Sequence, residues 1–153
     1  MCSHICDEIK YREDLLFEKA FPILKRVHRV SKDAKIQFHK RIHGLECDVV
    51  ITWRSRGIYP IRSIIVELKE IDLLKMVEQL ERRREFALWV YGVINLPVHE
   101  VVESILHPKY SLCDIIYKKG IGLISVFHEE PILIVRSRVI SNVIAKYLEN
   151  VFG

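Results

Sequence analysis

Asp48, Glu67 and Lys69 lie on two strand-like runs joined by a turn, Cys47 to Trp53 and Ile64 to Lys69, and can address one metal ion and one phosphate. Strand side chains alternate faces, so Glu67 and Lys69 project from the same side, about 7 Å apart. Two carboxylates supply the hard oxygen ligands that suit Mg²⁺, with Mn²⁺ as its substitute. A neighbouring ammonium orients a water or stabilises charge developing on a phosphate. The chemistry such a trio suits is phosphodiester hydrolysis. An ordinary cross-strand pair of surface charges uses the same residue types. What favours a site is context: Glu67 and Lys69 interrupt and close an apolar run that starts at Ile64 and is expected to be buried, and buried charge needs a partner.

Positioning these residues requires a sheet, and the pattern supplies one. A first helix is expected from about Asp7 to Arg29, with Ile9, Leu16, Ala20, Ile23 and Val27 on one stripe and Pro22 kinking or splitting it near Phe21. Ile36 to Ile42, the Asp48 run, a turn around Gly57 and Pro60, and the Glu67 run read as an antiparallel meander. A second helix from about Asp72 to Ala87 buries Leu73, Met76, Val77, Leu80 and Ala87, with Asp72 as its N-cap. Leu88 to Ile94 is apolar enough to be a strand covered on both faces, so the helix before it is a parallel crossover. Beyond it come a short helix (His99 to Leu106), strand-like runs at Ile115 to Lys118, Gly122 to Phe127 and Ile132 to Val135, and a last helix from Val139 to Val151 capped by Ser137. The expected architecture is one α/β domain over residues 1–153, a core of about 8–95 with order α-β-β-β-α-β and a mixed extension over 96–153.

Composition is compatible with this and excludes little else. The 153 residues are 50% hydrophobic and 29% charged, an ordered globular composition without a run long enough for a membrane span. Met1 is followed closely by Cys2, His4 and Asp7, with no apolar stretch of signal-peptide length, so a cytoplasmic location and no membrane partner are expected. The net charge of +4 permits a polyanionic partner without requiring one. Cys2 and Cys6 flank His4 but no second ligand pair follows at finger-like spacing, and Cys47 and Cys113 read as small buried residues. The apolar last helix offers a surface for a homodimer, an arrangement suited to cutting two strands; packing on the sheet would use the same face.

The order of elements, with Asp48, an intervening hairpin and Glu67-Leu68-Lys69, resembles the PD-(D/E)XK nuclease superfamily, whose fold is restriction-endonuclease-like. The short chain and the early Arg12-Glu13-Asp14-Leu15 helix are most similar to archaeal Holliday-junction resolvases and small nucleases of archaea and their viruses. The resemblance covers about residues 8 to 95, and Cys47 stands where the motif has Pro. It implies that Asp48, Glu67 and the main-chain carbonyl of Leu68 bind the metal and that Lys69 positions the attacking water. It also implies a Glu on the first helix; Glu13 lies within the apolar stripe near Leu16 and Ala20, whereas Glu18 points away, so Glu13 is taken. Glu46, two residues before Asp48, is an outside candidate for the ligand sphere.

Basic residues flank this motif. Arg82-Arg83-Arg84 follow Lys75 and Gln79, with Gln79 and Arg83 at the edge of the apolar stripe; they border a site or form a solvated face paired with Glu78, Glu81 and Glu85. Lys40, Arg41 and His43, and Arg54, Arg56 and Arg62, are expected at hairpin ends near the site, with Trp53 and Tyr59 available to stack on bases and Phe38 assigned to the core. The expected function is a Mg²⁺-dependent endonuclease acting on DNA, including branched or flapped forms. A non-catalytic nucleic-acid-binding or assembly protein and an RNA-directed nuclease are the alternatives.

Overall fold

The near-continuous apolar run Ile64–Leu68 becomes the middle of the molecule because both of its faces are covered. The computed structural model describes the backbone of residues 2–152 and the side chains of residues 12–146. Its elements are α1 (Cys2–His28), β1 (Lys35–Ile42), β2 (Leu45–Arg54), β3 (Ile61–Lys69), α2 (Leu73–Arg83) with a 3₁₀ turn at Arg84–Phe86, β4 (Trp89–Ile94), α3 (Val98–Leu106), α4 (Leu112–Lys119), β5 (Ile121–Ser125), β6 (Ile132–Val135) and α5 (Ser141–Phe152). The six strands form one sheet in chain order. β1, β2 and β3 are an antiparallel meander, β3, β4 and β5 are parallel, and β6 returns antiparallel. The expected meander and the crossover through α2 are both present.

Two hydrophobic clusters sandwich the sheet. On one face Leu16, Phe17, Ala20, Ile23 and Leu24 of α1 meet Val49, Ile51, Ile64, Val66, Leu68 and Val93. On the other, Met76, Val77 and Leu80 of α2, with α3 and α4, meet Val50, Ile65, Val90 and Ile94. Ile65 faces α2, so period-two alternation turns Glu67 to that side as well. Gly92 lets α2 lie directly on β4: a Cβ there would come 2.4 Å from Met76 Cε. Asp72 caps α2 by accepting from Lys75 N–H at 3.0 Å, as expected.

Four expectations differ from the structure. Pro22 is exposed and α1 continues through it as one helix, its buried stripe intact on either side of the proline. Ile115–Lys118 is part of the helix α4, not a strand; Leu112 and Ile116, four residues apart, bury one face, and Gly120 ends the helix at φ +61°. Cys113 is accordingly exposed. Ser137 does not cap α5. It is buried, with its Oγ donating to Gly120 O at 2.7 Å and accepting from Val90 N–H at 3.0 Å.

Candidate functional site

The β2–β3 register pairs Val49 with Val66, and its next step sets Asp48 opposite Glu67. The ladder stops there because Asp48 Oδ2 accepts the Leu68 N–H at 2.8 Å. On the other side, β1 pairs Phe38 with Val49 and Lys40 with Cys47, which brings His39 level with Asp48. His39 has φ +52°, a left-handed backbone uncommon outside glycine and a recurrent feature of functional positions. One row across three strands thus carries His39, Asp48 and Glu67.

Glu67 is the pivot. It is 1% exposed, and its Oε1 lies 2.9 Å from Arg83 Nε. That nitrogen donates instead to the Glu46 carbonyl at 3.2 Å, so Oε1 has no hydrogen-bond partner despite its nearness to a cation. Burial first, then the charge of Asp48 and a hydrogen bond to it, raise the Glu67 pKa to about 9 against the opposing pull of Arg83 and Lys69. At neutral pH Glu67 is therefore held in its protonated form beside Asp48. Glu13 of α1 is half-buried, and its pKa is raised by burial, lowered by Lys69 and raised by Asp48. Glu13 therefore lies within electrostatic reach of Lys69, Asp48, Glu70 and Asp14. Glu18 is exposed on the far side of α1.

The surroundings contain residues that strand periodicity does not bring into view. His39 Nε2 contacts Asp14 Oδ2 at 3.1 Å, while Asp14 Oδ1, His39 Nδ1 and Gln79 Oε1 are buried without hydrogen-bond partners. Only the unusual backbone of His39, invisible in the sequence, could have marked it. Arg83 is buried, its donors spent on the Glu46 and Gln79 carbonyls, so it braces Glu67 rather than facing solvent for a phosphate. Arg84 is also buried, giving hydrogen bonds to the carbonyls of Lys119, Ala87, Leu88 and Arg138. Arg82 alone of the three is exposed.

The basic hairpin ends do not gather in one place. In a meander, successive turns fall at opposite ends of the sheet. Lys40 and Arg41 sit at the Asp48 end, where Lys40 Nζ donates to Gln37 Oε1 at 2.8 Å. Arg54 and Arg56 lie at the other, six or more residues along from Asp48 and so about 20 Å away. Trp53 is buried against Trp89, at 6.2 Å between ring centroids, and is core rather than a stacking platform; Phe38, expected in the core, is exposed at its edge against Phe17. The side chains of Cys2, His4 and Cys6, and of Tyr147, Leu148 and Val151 on α5, lie outside the described residues.

Among the described residues no three His, Cys, Asp or Glu side chains form a metal cluster. Asp48 and Glu67, with the Leu68 carbonyl, are nevertheless a donor set that fits a hard dication. They offer a buried Glu67 oxygen without a hydrogen-bond partner and a Glu67 proton to displace, and Mg²⁺ takes few protein ligands because it keeps several waters.

The chain is an α/β protein with a six-stranded mixed sheet flanked by helices. No family model and no curated protein matches it. Among solved structures it has a distant likeness to SfsA of Pyrococcus furiosus in complex with Ca²⁺, at a TM-score of 0.39 and 13% identity, covering 88% of this chain and 65% of that one. The chain thus spans just under two thirds of that protein's length. Among the described residues no helix is long and apolar enough to cross a membrane.

Proposed function

We propose that this protein is a divalent-metal-dependent nuclease of restriction-endonuclease-like fold that hydrolyses phosphodiester bonds in DNA, branched or flapped forms included. The observation that carries this reading is Glu67: a fully buried carboxyl opposite Asp48, whose Oε1 lies beside Arg83 without a hydrogen-bond partner and whose burial outweighs the pull of Arg83 and Lys69. Such an arrangement is costly to a fold, because the desolvation of Glu67 outweighs the favourable pull of Arg83 and Lys69.

Asp48, Glu67 and the Leu68 carbonyl would hold Mg²⁺, or Mn²⁺ in its place, which when bound supplies Lewis-acid activation of the phosphate and of a water. Arg83 keeps the Glu67 side chain in place through its hold on Glu46 and its proximity to Oε1. Lys69 orients the attacking water and stabilises negative charge on the phosphate oxygens. Glu13, with its raised pKa, can hold or accept a proton at the site's edge. Lys40, Arg41 and Gln79 are the candidate contacts to the flanking backbone, with Arg54 and Arg56 reaching DNA only at the far end of the sheet.

The test is cleavage of plasmid, single-stranded and four-way-junction DNA, with RNA in parallel, by wild type and Asp48→Ala in Mg²⁺ and in Mn²⁺. Metal-dependent cleavage lost in Asp48→Ala supports the proposal. Wild type inert on every substrate with both ions, while still binding DNA, defeats it in favour of a non-catalytic nucleic-acid-binding protein.

A further inference from the structure

The end of the sheet away from Asp48 and Glu67 carries a second concentration of charge. Arg26 and Arg29 from the end of α1, Arg62 from the start of β3, and Arg136 just after β6 converge on a cleft of about 590 Å³ walled by His28 and Trp89. Arg62 and Glu67 are five positions apart along β3, about 17 Å, so the two places do not share one phosphate group.

Basic residues in the last turn of a helix ordinarily complement its dipole. That accounts for Arg26 on α1, but not for Arg62 and Arg136, which arrive from two other elements. No acidic residue lines the cleft, and among the described residues none of the four arginines forms an ion pair. Arg62 Nε is moreover buried without a hydrogen-bond partner. The charges do act on a common point, because Arg136 and Arg62 both disfavour protonation of His28. His28 stays neutral and points its Nε2 at the Tyr91 hydroxyl, 2.6 Å away, so it adds shape rather than charge. Arg29 takes a left-handed backbone, φ +52°, immediately after α1 ends at His28.

Four unneutralised guanidinium groups around a concave space call for a multiply charged anion with several oxygens, and guanidinium forks match phosphate oxygens in pairs. The volume falls in the range that encloses a nucleotide-sized group. We propose that this cleft is a phosphate-ester site, separate from the Asp48–Glu67 centre, that takes the backbone phosphates of a nucleic-acid strand. The assignment stands whether or not the other centre cleaves anything.

The experiment uses the full chain in EDTA, so that cleavage plays no part, and reads fluorescence polarisation of a labelled single-stranded 12-mer against salt. Inorganic phosphate and a mononucleotide serve as separate probes through their effect on melting temperature. Arg62→Gln/Arg136→Gln should weaken 12-mer binding at least about tenfold and flatten the salt slope by about 1.4, about 0.7 for each phosphate of a single strand left without its guanidinium. Arg26→Gln/Arg29→Gln, whose side chains are exposed, should weaken it in the same direction with an unchanged unfolding midpoint in urea. Lys109→Gln/Lys118→Gln, which removes equal charge from exposed positions elsewhere, should change it less than about threefold. If the variants keep the 12-mer but lose the shift given by phosphate or mononucleotide, the site stands as a phosphate site with a free nucleotide as its source. If both arginine pairs bind every probe as wild type does, the proposal is overturned.

Discussion

Replacing Glu67 with Gln should make the metal-free protein more stable while abolishing cleavage. Glu67 has an ordinary carboxyl pKa of 4.5 in the unfolded chain and one raised to about 9 in the folded protein, because it is buried beside Asp48. Folding above pH 4.5 therefore takes up a proton, and stability falls as pH rises from 4.5 through 9. At pH 7 the open part of that window is 2.5 units, and at about 1.4 kcal/mol per unit the cost is about 3 kcal/mol. Gln preserves the shape of the protonated acid, its amide donates to Asp48 in place of the acid hydroxyl, and it has no proton to take up. Urea unfolding in EDTA should show Glu67→Gln ahead of wild type by about 3 kcal/mol at pH 7, by more at pH 8.5, and level with it near pH 4.5. Added Mg²⁺ should stabilise wild type and leave the variant unmoved. A variant no more stable than wild type at any pH would refute the picture of a buried neutral Glu67 beside Asp48.

Lys69→Met should reduce DNA cleavage by about 10² to 10³ while Mg²⁺ titration still reports binding, since the ammonium acts on charge that develops during reaction; equal loss of both would assign Lys69 to holding the carboxylates. His28, neutral and buried with its pKa lowered to about 4, contributes a loss of about 3 kcal/mol between pH 6.5 and 4, because the unfolded chain binds a proton there that the folded one does not; the Glu67 proton offsets most of it in wild type, so the loss is read as the difference from a His28 variant. His28→Gln keeps an acceptor for the Tyr91 hydroxyl and should lack that part of the slope in urea unfolding measured across the same range. Arg84→Met strips the donors from the carbonyls of Lys119, Ala87, Leu88 and Arg138 and should destabilise by at least about 3 kcal/mol in the same assay. Because Arg84 lies outside the Asp48–Glu67 row, Mg²⁺ affinity measured below the variant's melting temperature should not change.

What is legible in the sequence, and what is not, divides along a physical line. Periodicity reports which way a side chain faces relative to its own element. It therefore finds the meander, the crossover through α2 and the shared face of Glu67 and Lys69, and charge breaking an apolar run points to Asp48 and Glu67 as partners. It fails where the decisive quantity is position along an axis or a partner far away in the chain. Arg54 and Arg62 share a hairpin turn with Arg56, but only the alternation of turns between the two ends of a sheet tells that they lie about 20 Å from Asp48. Arg83 and Arg84 read as a charged helix face, yet each is buried because main-chain carbonyls 35 or more residues distant, Glu46 for one and Lys119 for the other, need donors. α4 reads as a strand because a run as short as Ile115–Lys118 has too few residues to separate period 2 from period 3.6, and Gly120 could end a strand as readily as a helix. The same line explains why the arginine cleft comes into view only with the fold. Its four charges come from α1, β3 and the segment after β6, spread over more than 100 residues, and nothing but the closure of the sheet makes them neighbours. A reading from adjacent residues in one hairpin reaches the Asp48–Glu67 pair; the proposed phosphate site elsewhere on the molecule depends on contacts that only the folded chain assembles.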